Sequence, residues 1–168
     1  MSLADPLIFG YTAEELWPTT NIILPTWFML VFAPRWRHTP SLTIISPLIL
    51  SFLYTASVIG AMTKNSGLTI DFNSHEGVAT MFKNPDVVYA GWIHYLAYDA
   101  LVNRWIVLDS IERGASIGFH AFVIVPVLIF AFMCGPVGLV LYLAVVRPFF
   151  LPCKGSADAS NENIKKDD

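Results

Sequence analysis

A mostly apolar stretch in the middle of the chain carries side chains that could exchange protons. Between residues 86 and 108 the sequence places His94, Asp99, Asn103 and Arg104. Imidazole and carboxyl groups are the usual general bases and acids of enzymes. Such groups are costly to bury in apolar surroundings, so each needs a partner or a function.

Helical spacing sorts these residues into two faces. If His94 is set at zero degrees, then Trp105, Tyr98 and Asp109 follow at about 20°, 40° and 60° on the same stripe. Asp99, Trp92 and Asn103 lie on a neighbouring face, at about 140° to 180°. Arg104, at about 280°, points away from both faces.

Asp99 is the residue that a membrane helix would find hardest to accommodate. It lies about 18 Å from the Val87 end, close to the middle of a bilayer. A short side chain cannot reach an interface from there, and burial favours its protonated form. Asp99 is therefore either a proton donor or a carboxylate paired with another helix. Arg104, about 25 Å from the same end, can extend to the far interface. His94 could instead bond across a helix interface.

The composition indicates a membrane protein. Of the 168 residues, 55% are hydrophobic and 14% are charged, against about 25% charged in soluble domains. This excludes a disordered chain and a coiled coil, and it disfavours a water-soluble enzyme. The net charge of −3 shows no basic excess, so nucleic acid is not an expected partner. The two cysteines, Cys134 and Cys153, form no CxxC pair and no disulfide framework.

The predicted fold is an all-α integral membrane protein, a bundle of about four transmembrane helices. The expected spans are 16–34, 41–63, 86–108 and 116–147, and a short interfacial helix is expected at 74–83, between spans 2 and 3. Thr12 and Glu15 form a capping box that starts the first helix. We divide the chain into an N-terminal segment (1–15), a four-span membrane domain (16–151) and a disordered C-terminal tail (152–168).

The last span is longer than one straight crossing requires. Gly114 to Val146 contains 33 residues without Asp, Glu, Lys or Arg. Pro126 and the segment Cys134–Gly138 predict that it kinks or unwinds locally. Four crossings would place both termini on one side, with Arg147 opposite Arg113. Basic residues are then balanced, with Arg35, Arg37 and Arg113 on one side and Lys64, Lys83, Arg147 and Lys154 on the other.

Several cofactor chemistries are excluded by residue counts. No span contains the lysine of a retinal Schiff base, and four histidines are too few for a histidine-rich di-iron site. His94 and His120 lie near opposite faces, so they do not pair around a haem. The chain has neither a GxGxxG sequence nor a P-loop. We therefore expect no redox cofactor and no metal.

A series of short motifs resembles the abscisic-acid-deficient-four-like family, which includes the plant neoxanthin synthase. The resemblance covers about Trp17 to Arg147 and rests on Leu24–Trp27, Phe32–Trp36, Gly77–Ala79, Met81–Phe82, Trp92–Leu96 with Asp99 and Arg104, Asp109, His120, Pro126 and Cys134–Gly138. It implies a multi-span protein of xanthophyll (carotenoid) metabolism. The implied reaction isomerises violaxanthin, opening an epoxide to an allene and a hydroxyl without net redox change.

The implied reaction needs an acid at the epoxide oxygen and a base at the adjacent polyene carbon. We assign Asp99 as the acid and His94 as the base, although the two could exchange roles. Arg104 and Asp109 are candidates for orienting the ligand or holding its hydroxylated end. The full set of expected substrate-binding residues is Trp92, Tyr98, Asn103, Arg104, Asp109 and His120.

Two alternatives remain open. The chain could be a non-catalytic carotenoid- or chlorophyll-binding subunit of a photosynthetic membrane complex, with His94 as a magnesium ligand. It could also be an assembly factor. The expected partners are the lipid bilayer, a carotenoid, and other pigment-protein or carotenoid-biosynthesis subunits. The first fifteen residues lack a basic signal-peptide region. The expected location is a plastid membrane (thylakoid or envelope) in a eukaryote, or an inner or thylakoid membrane in a bacterium.

Overall fold

The computed structural model describes residues 6–63 and 71–152, and these ranges are helical without a β-strand. They divide into two compact units. The first contains Met1–Pro25 and Ile45–Tyr98, and the second contains Thr26–Ile44 and Asp99–Asp168. The prediction of a disordered tail falls almost entirely outside the described residues.

The helices follow one another with short connections. Their bounds are α1 (Ala13–Leu16), a 3₁₀ helix (Trp17–Ile23), α2 (Leu24–Phe32), α3 (Thr39–Thr63, with an irregular turn near Thr43), α4 (His75–Met81), α5 (Pro85–Glu112), α6 (Ile117–Cys134) and α7 (Pro136–Phe150). The long helix α5 begins in the first unit and ends in the second.

The first predicted span is a 3₁₀ helix followed by a short α-helix, not one uniform α-helix. The capping box is confirmed, since Thr12 and Glu15 bond reciprocally. Beyond it the chain continues as a 3₁₀ helix that has Pro18 in its first turn. Pro25 marks the return to α-helix, and α2 then has only nine residues. Pro18 and Pro25 have no backbone N–H. Neither can donate the i→i−4 hydrogen bond that an uninterrupted α-helix would need at its position.

Two helices, α3 and α6, are long and apolar enough to cross a membrane. Only 28% of the most apolar eighteen-residue window of each is buried, so most of their apolar surface faces outward. A core helix of a soluble protein would be mostly covered. Length and composition thus favour membrane association for these two helices. Two other helices fall short by this criterion: α7 has 15 residues, and α5 has 28 but includes charged ones.

The predicted helix between spans 2 and 3 is present as α4. Ser74 is its N-cap and accepts a hydrogen bond from the Gly77 N–H (3.0 Å). Asp71 folds over this end and accepts hydrogen bonds from the Ser74 hydroxyl (2.7 Å) and the Asn73 N–H (2.8 Å). These bonds hold the pKa of the Asp71 carboxyl below its usual value. A Cβ at position 77 would collide with that carboxyl, so a glycine is required there.

Helix α3 packs against the N-terminal segment through a small residue. Gly60 lies directly against the Leu7 carbonyl, where a Cβ would overlap the oxygen. The missing side chain of Gly60 thus allows the close approach of α3 to the N-terminal segment within the first unit. Elsewhere in this unit, the Thr19 and Tyr89 hydroxyls share a hydrogen bond of 2.8 Å.

The last predicted span is two helices that form a hairpin, not one bent crossing. Gly135 has φ = 39°, a value that favours glycine, and it ends α6 and starts α7. The chain then reverses. The ring centroids of Phe150, at the end of α7, and Phe119, near the start of α6, are only 6.4 Å apart. Near the turn, Gly138 lies against Ala131.

Each hairpin helix contains a π-helical turn two residues before a proline. The Val125 N–H bonds to the His120 carbonyl ahead of Pro126, and the Arg147 N–H bonds to the Tyr142 carbonyl ahead of Pro148. Each proline lacks the N–H of a regular α-helical turn, which favours the wider i→i−5 spacing. His120 and Tyr142 thus start the two π-turns.

We expect Gly138→Ala to destabilise the protein by about 1–3 kcal/mol, because the added methyl group would overlap the Ala131 backbone and force the hairpin apart. Gly118→Ala is the matched control, since the nearest atom to its new Cβ would be 4.0 Å away. Thermal unfolding in detergent should show a lower midpoint for the first variant only. Equal midpoints would contradict the close contact at Gly138.

Candidate functional site

His94 lies between two tyrosine rings in the first unit. Its imidazole stacks on Tyr98 (ring centroids 4.7 Å apart, 22° between planes) and meets Tyr54 edge-on (5.0 Å, 62°). Tyr98 is the predicted neighbour on the same stripe of α5, so that pairing is confirmed. Tyr54 comes from α3 and was not predicted. We call these three residues the His94 stack.

A second row of aromatic rings lies beside the His94 stack on α5. Trp92 stacks on Trp17 (6.0 Å) and on Tyr95 (5.6 Å). Trp92 and Tyr98 are 42% and 60% exposed, so each row has one ring exposed on the first unit. We call Tyr54, Trp92, His94, Tyr95 and Tyr98 together the aromatic face.

His94 is exposed at the surface of the first unit. The buried positions around it are Ile93, Leu96 and Ala97, which pack into the core of the first unit. Their burial turns the adjacent His94 outward. An exposed imidazole held between two rings is accessible to a ligand.

Asp99 and Asn103 belong to the second unit and form the predicted i, i+4 pair through the backbone. The Asn103 amide donates to the Asp99 carbonyl oxygen (2.7 Å). Asn103 is fully buried, and its side-chain oxygen has no hydrogen-bond partner among the described residues. Asp99 itself is half-buried. The pair is therefore positioned by α5, and its expected roles in catalysis and substrate binding remain predictions.

Arg104 and His120, two other predicted substrate-binding residues, both belong to the second unit. Arg104 donates from Nε (3.2 Å) and Nη2 (2.7 Å) to the Pro40 carbonyl. His120 is buried at the first π-turn, and neither ring nitrogen reaches hydrogen-bonding geometry within the described ranges.

Asp109 is the centre of a charged cluster in the second unit. Its Oδ2 accepts hydrogen bonds from the Tyr142 hydroxyl (2.7 Å), Arg113 Nε (2.9 Å) and Arg147 Nε (3.1 Å). Asp109 is 8% exposed, whereas Arg147 is 36% exposed and lies over the Trp105 ring, 5.7 Å from its centroid. We call Trp105, Asp109, Arg113, Tyr142 and Arg147 the Asp109 cluster.

The Asp109 cluster contradicts the sequence-based prediction that Arg113 and Arg147 lie on opposite sides. Arg147 was expected opposite Arg113, but both arginines bond to the same carboxylate because the hairpin returns the chain. Arg113, Tyr142 and Arg147 were not predicted as a site. The 33-residue uncharged run was the signal that could have found them, since it is long enough for two short apolar helices.

The aromatic face and the Asp109 cluster are suited to different chemistry. The aromatic face can hold a long apolar ligand against an imidazole, whereas the Asp109 cluster is held together by charge-assisted hydrogen bonds. Within residues 6–63 and 71–152, no group of three or more His, Cys, Asp or Glu side chains is arranged to hold a metal ion.

These features define a small helical protein with apolar, outward-facing helices and an open aromatic surface. The chain belongs to the ABA DEFICIENT 4-like family, whose pattern matches residues 16–142. The match includes His94, Asp99 and Asp109 and ends before Arg147. No curated protein and no solved structure matches the chain significantly.

Proposed function

We propose that the protein is a membrane isomerase of xanthophyll metabolism, similar to neoxanthin synthase, and that the polyene of its substrate binds along the aromatic face. The observation that carries the proposal is the His94 stack, an accessible imidazole held between two tyrosine rings. Its presence in a chain of the ABA DEFICIENT 4-like family supports this assignment.

The proposed reaction moves one proton and creates no redox change. A base removes the hydrogen from the polyene carbon next to the epoxide, and the electrons of that C–H bond form a second, cumulated double bond. The neighbouring C–O bond of the epoxide breaks, and an acid delivers a proton to the oxygen. The product is an allene with a tertiary hydroxyl, isomeric with the substrate.

His94 is the proposed base, because its imidazole is exposed beside the surface on which the polyene would lie. Asp99 is the proposed acid, five residues or about 7.5 Å further along the axis of α5. A carboxyl group can supply the proton that the epoxide oxygen needs. Tyr98 and Trp92 would contact the polyene through their exposed rings.

The proposal includes a membrane arrangement beyond the two apolar helices. We propose that α5 also crosses the bilayer and that the α6–α7 hairpin enters it, so that α3, α5, α6 and α7 supply four membrane segments. The host membrane would be that of a plastid, or the inner or thylakoid membrane of a bacterium, where xanthophylls dissolve. The reaction as written needs no cofactor.

The proposal is tested by expressing the full chain in a host that makes violaxanthin. Extracted pigments are separated by chromatography and compared with those of the same host carrying an empty vector. We expect a new pigment with the mass of violaxanthin and the retention of neoxanthin. Unchanged pigments, together with carotenoid or chlorophyll that co-purifies with the protein, would overturn the isomerase and favour a pigment-binding subunit.

A further inference from the structure

The open end of the α6–α7 hairpin carries more positive than negative charge. Arg113 and Arg147 share Asp109, and the exposed Arg35 donates to the carbonyl of Ala115, two residues after Arg113. Glu112 is exposed on the same turn of α5. Counting Glu112 together with Asp109, this end of the hairpin has three guanidinium groups and two carboxylates. We call Arg35, Arg113 and Arg147 the arginine end of the second unit.

We propose that the arginine end binds the negatively charged headgroup of a membrane lipid through its phosphate or sulfonate oxygens. Guanidinium groups bind such oxyanions with paired N–H donors in a fixed plane. Arg147 is the main proposed ligand, because it is the more exposed of the two arginines that bond to Asp109.

The cluster holds Arg147 ready for such a ligand. The buried Asp109 carboxylate accepts a short hydrogen bond from Arg147 Nε, whereas its contact with Arg147 Nη2 is long (3.5 Å). Tyr142, fully buried, fixes the carboxylate from behind, and the Trp105 ring lies under the guanidinium. A side chain that is already ordered loses less entropy when its ligand binds.

The position of the arginine end indicates a lipid as the source of the oxyanion. It lies where the apolar helix α6 begins and α7 ends, at Phe119 and Phe150, and a polar-to-apolar boundary of this kind is where headgroups meet a membrane helix. Trp105, 40% exposed, is the residue type enriched at that level. Basic residues near an anionic surface each add about 1 kcal/mol of attraction, a factor of about five in affinity.

The test uses purified full-length protein in detergent, titrated with phosphatidylglycerol or phosphatidylcholine, with bound lipid counted by native mass spectrometry. We expect the wild-type chain to retain phosphatidylglycerol in preference, and Arg147→Gln to bind it about fivefold more weakly. Lys83→Gln is the matched control, because it removes one exposed positive charge from the α4–α5 connection. The control should bind as the wild type does.

Two further measurements distinguish lipid binding from a folding defect and from binding of a free anion. Arg147→Lys keeps the charge and should retain an intermediate affinity, which a folding defect would not produce. Inorganic phosphate, added alone, should not raise the thermal midpoint of the wild-type protein. Phosphatidylglycerol binding that is equal in the wild type and Arg147→Gln would overturn the proposal. Stabilisation by free phosphate without lipid preference would overturn the lipid as its source.

Discussion

We expect replacement of His94 by Phe to lower the proposed conversion of violaxanthin to neoxanthin by about a hundredfold or more, the usual contribution of a general base. Phenylalanine keeps an aromatic ring between Tyr54 and Tyr98, so the packing of the stack is retained. It removes the ring nitrogens that accept a proton. The measurement is the ratio of neoxanthin to violaxanthin per amount of protein in the membrane.

The control for this result is His75→Phe, an exposed histidine on α4 that the proposed reaction does not use. It should leave the pigment ratio unchanged. Asp99→Asn is the companion variant and should lower conversion to a similar extent, because an amide cannot supply the proton. Full conversion by His94→Phe would show that this residue only packs, and full conversion by Asp99→Asn would remove the proposed acid.

We expect replacement of Asp109 by Asn to lower the free energy of unfolding by about 3 kcal/mol, at the lower end of the range for breaking a buried ion pair because Arg147 is partly exposed. The substitution leaves two guanidinium groups facing each other and weakens the bond from the buried Tyr142 hydroxyl. For a chain of this size, the thermal midpoint should fall by about 6–12 °C. Tryptophan fluorescence in detergent reports it, since Trp105 contacts Tyr142.

The matched control is Glu76→Gln, which neutralises an exposed carboxylate on α4 and should change the midpoint little. The double variant Asp109→Asn with Arg147→Gln should recover part of the loss, because it also removes an uncompensated charge. A midpoint of Asp109→Asn equal to that of the wild type would mean that the cluster contributes nothing to stability.

The sequence was sufficient where a signal is local. The capping box at Thr12 and Glu15 is confirmed because it needs only residues three positions apart. The stacking of His94 on Tyr98 follows from helical spacing. The pairing of Asn103 with Asp99 was also correct, although the acceptor is the backbone carbonyl that this spacing brings within reach.

The sequence was insufficient where a contact joins distant segments. A single glycine could bend, unwind or reverse a helix, and the reversal at Gly135 is favoured by the close packing of Ala131 against Gly138. Once the chain reverses, Arg147 returns to Asp109, so one local geometry decides which charges meet. Tyr54 likewise reaches His94 only because α3 and α5 pack in the first unit. No spacing within one helix encodes these pairs.

The most direct test of the proposed isomerase supplies violaxanthin in liposomes that contain the purified protein and no added nicotinamide, flavin or other reductant. We expect neoxanthin to accumulate with time at the expense of violaxanthin, and the His94→Phe protein to give about a hundredth of that rate or less. Violaxanthin that stays bound and unchanged in the wild-type liposomes would show that the carotenoid does not react at the aromatic face around His94.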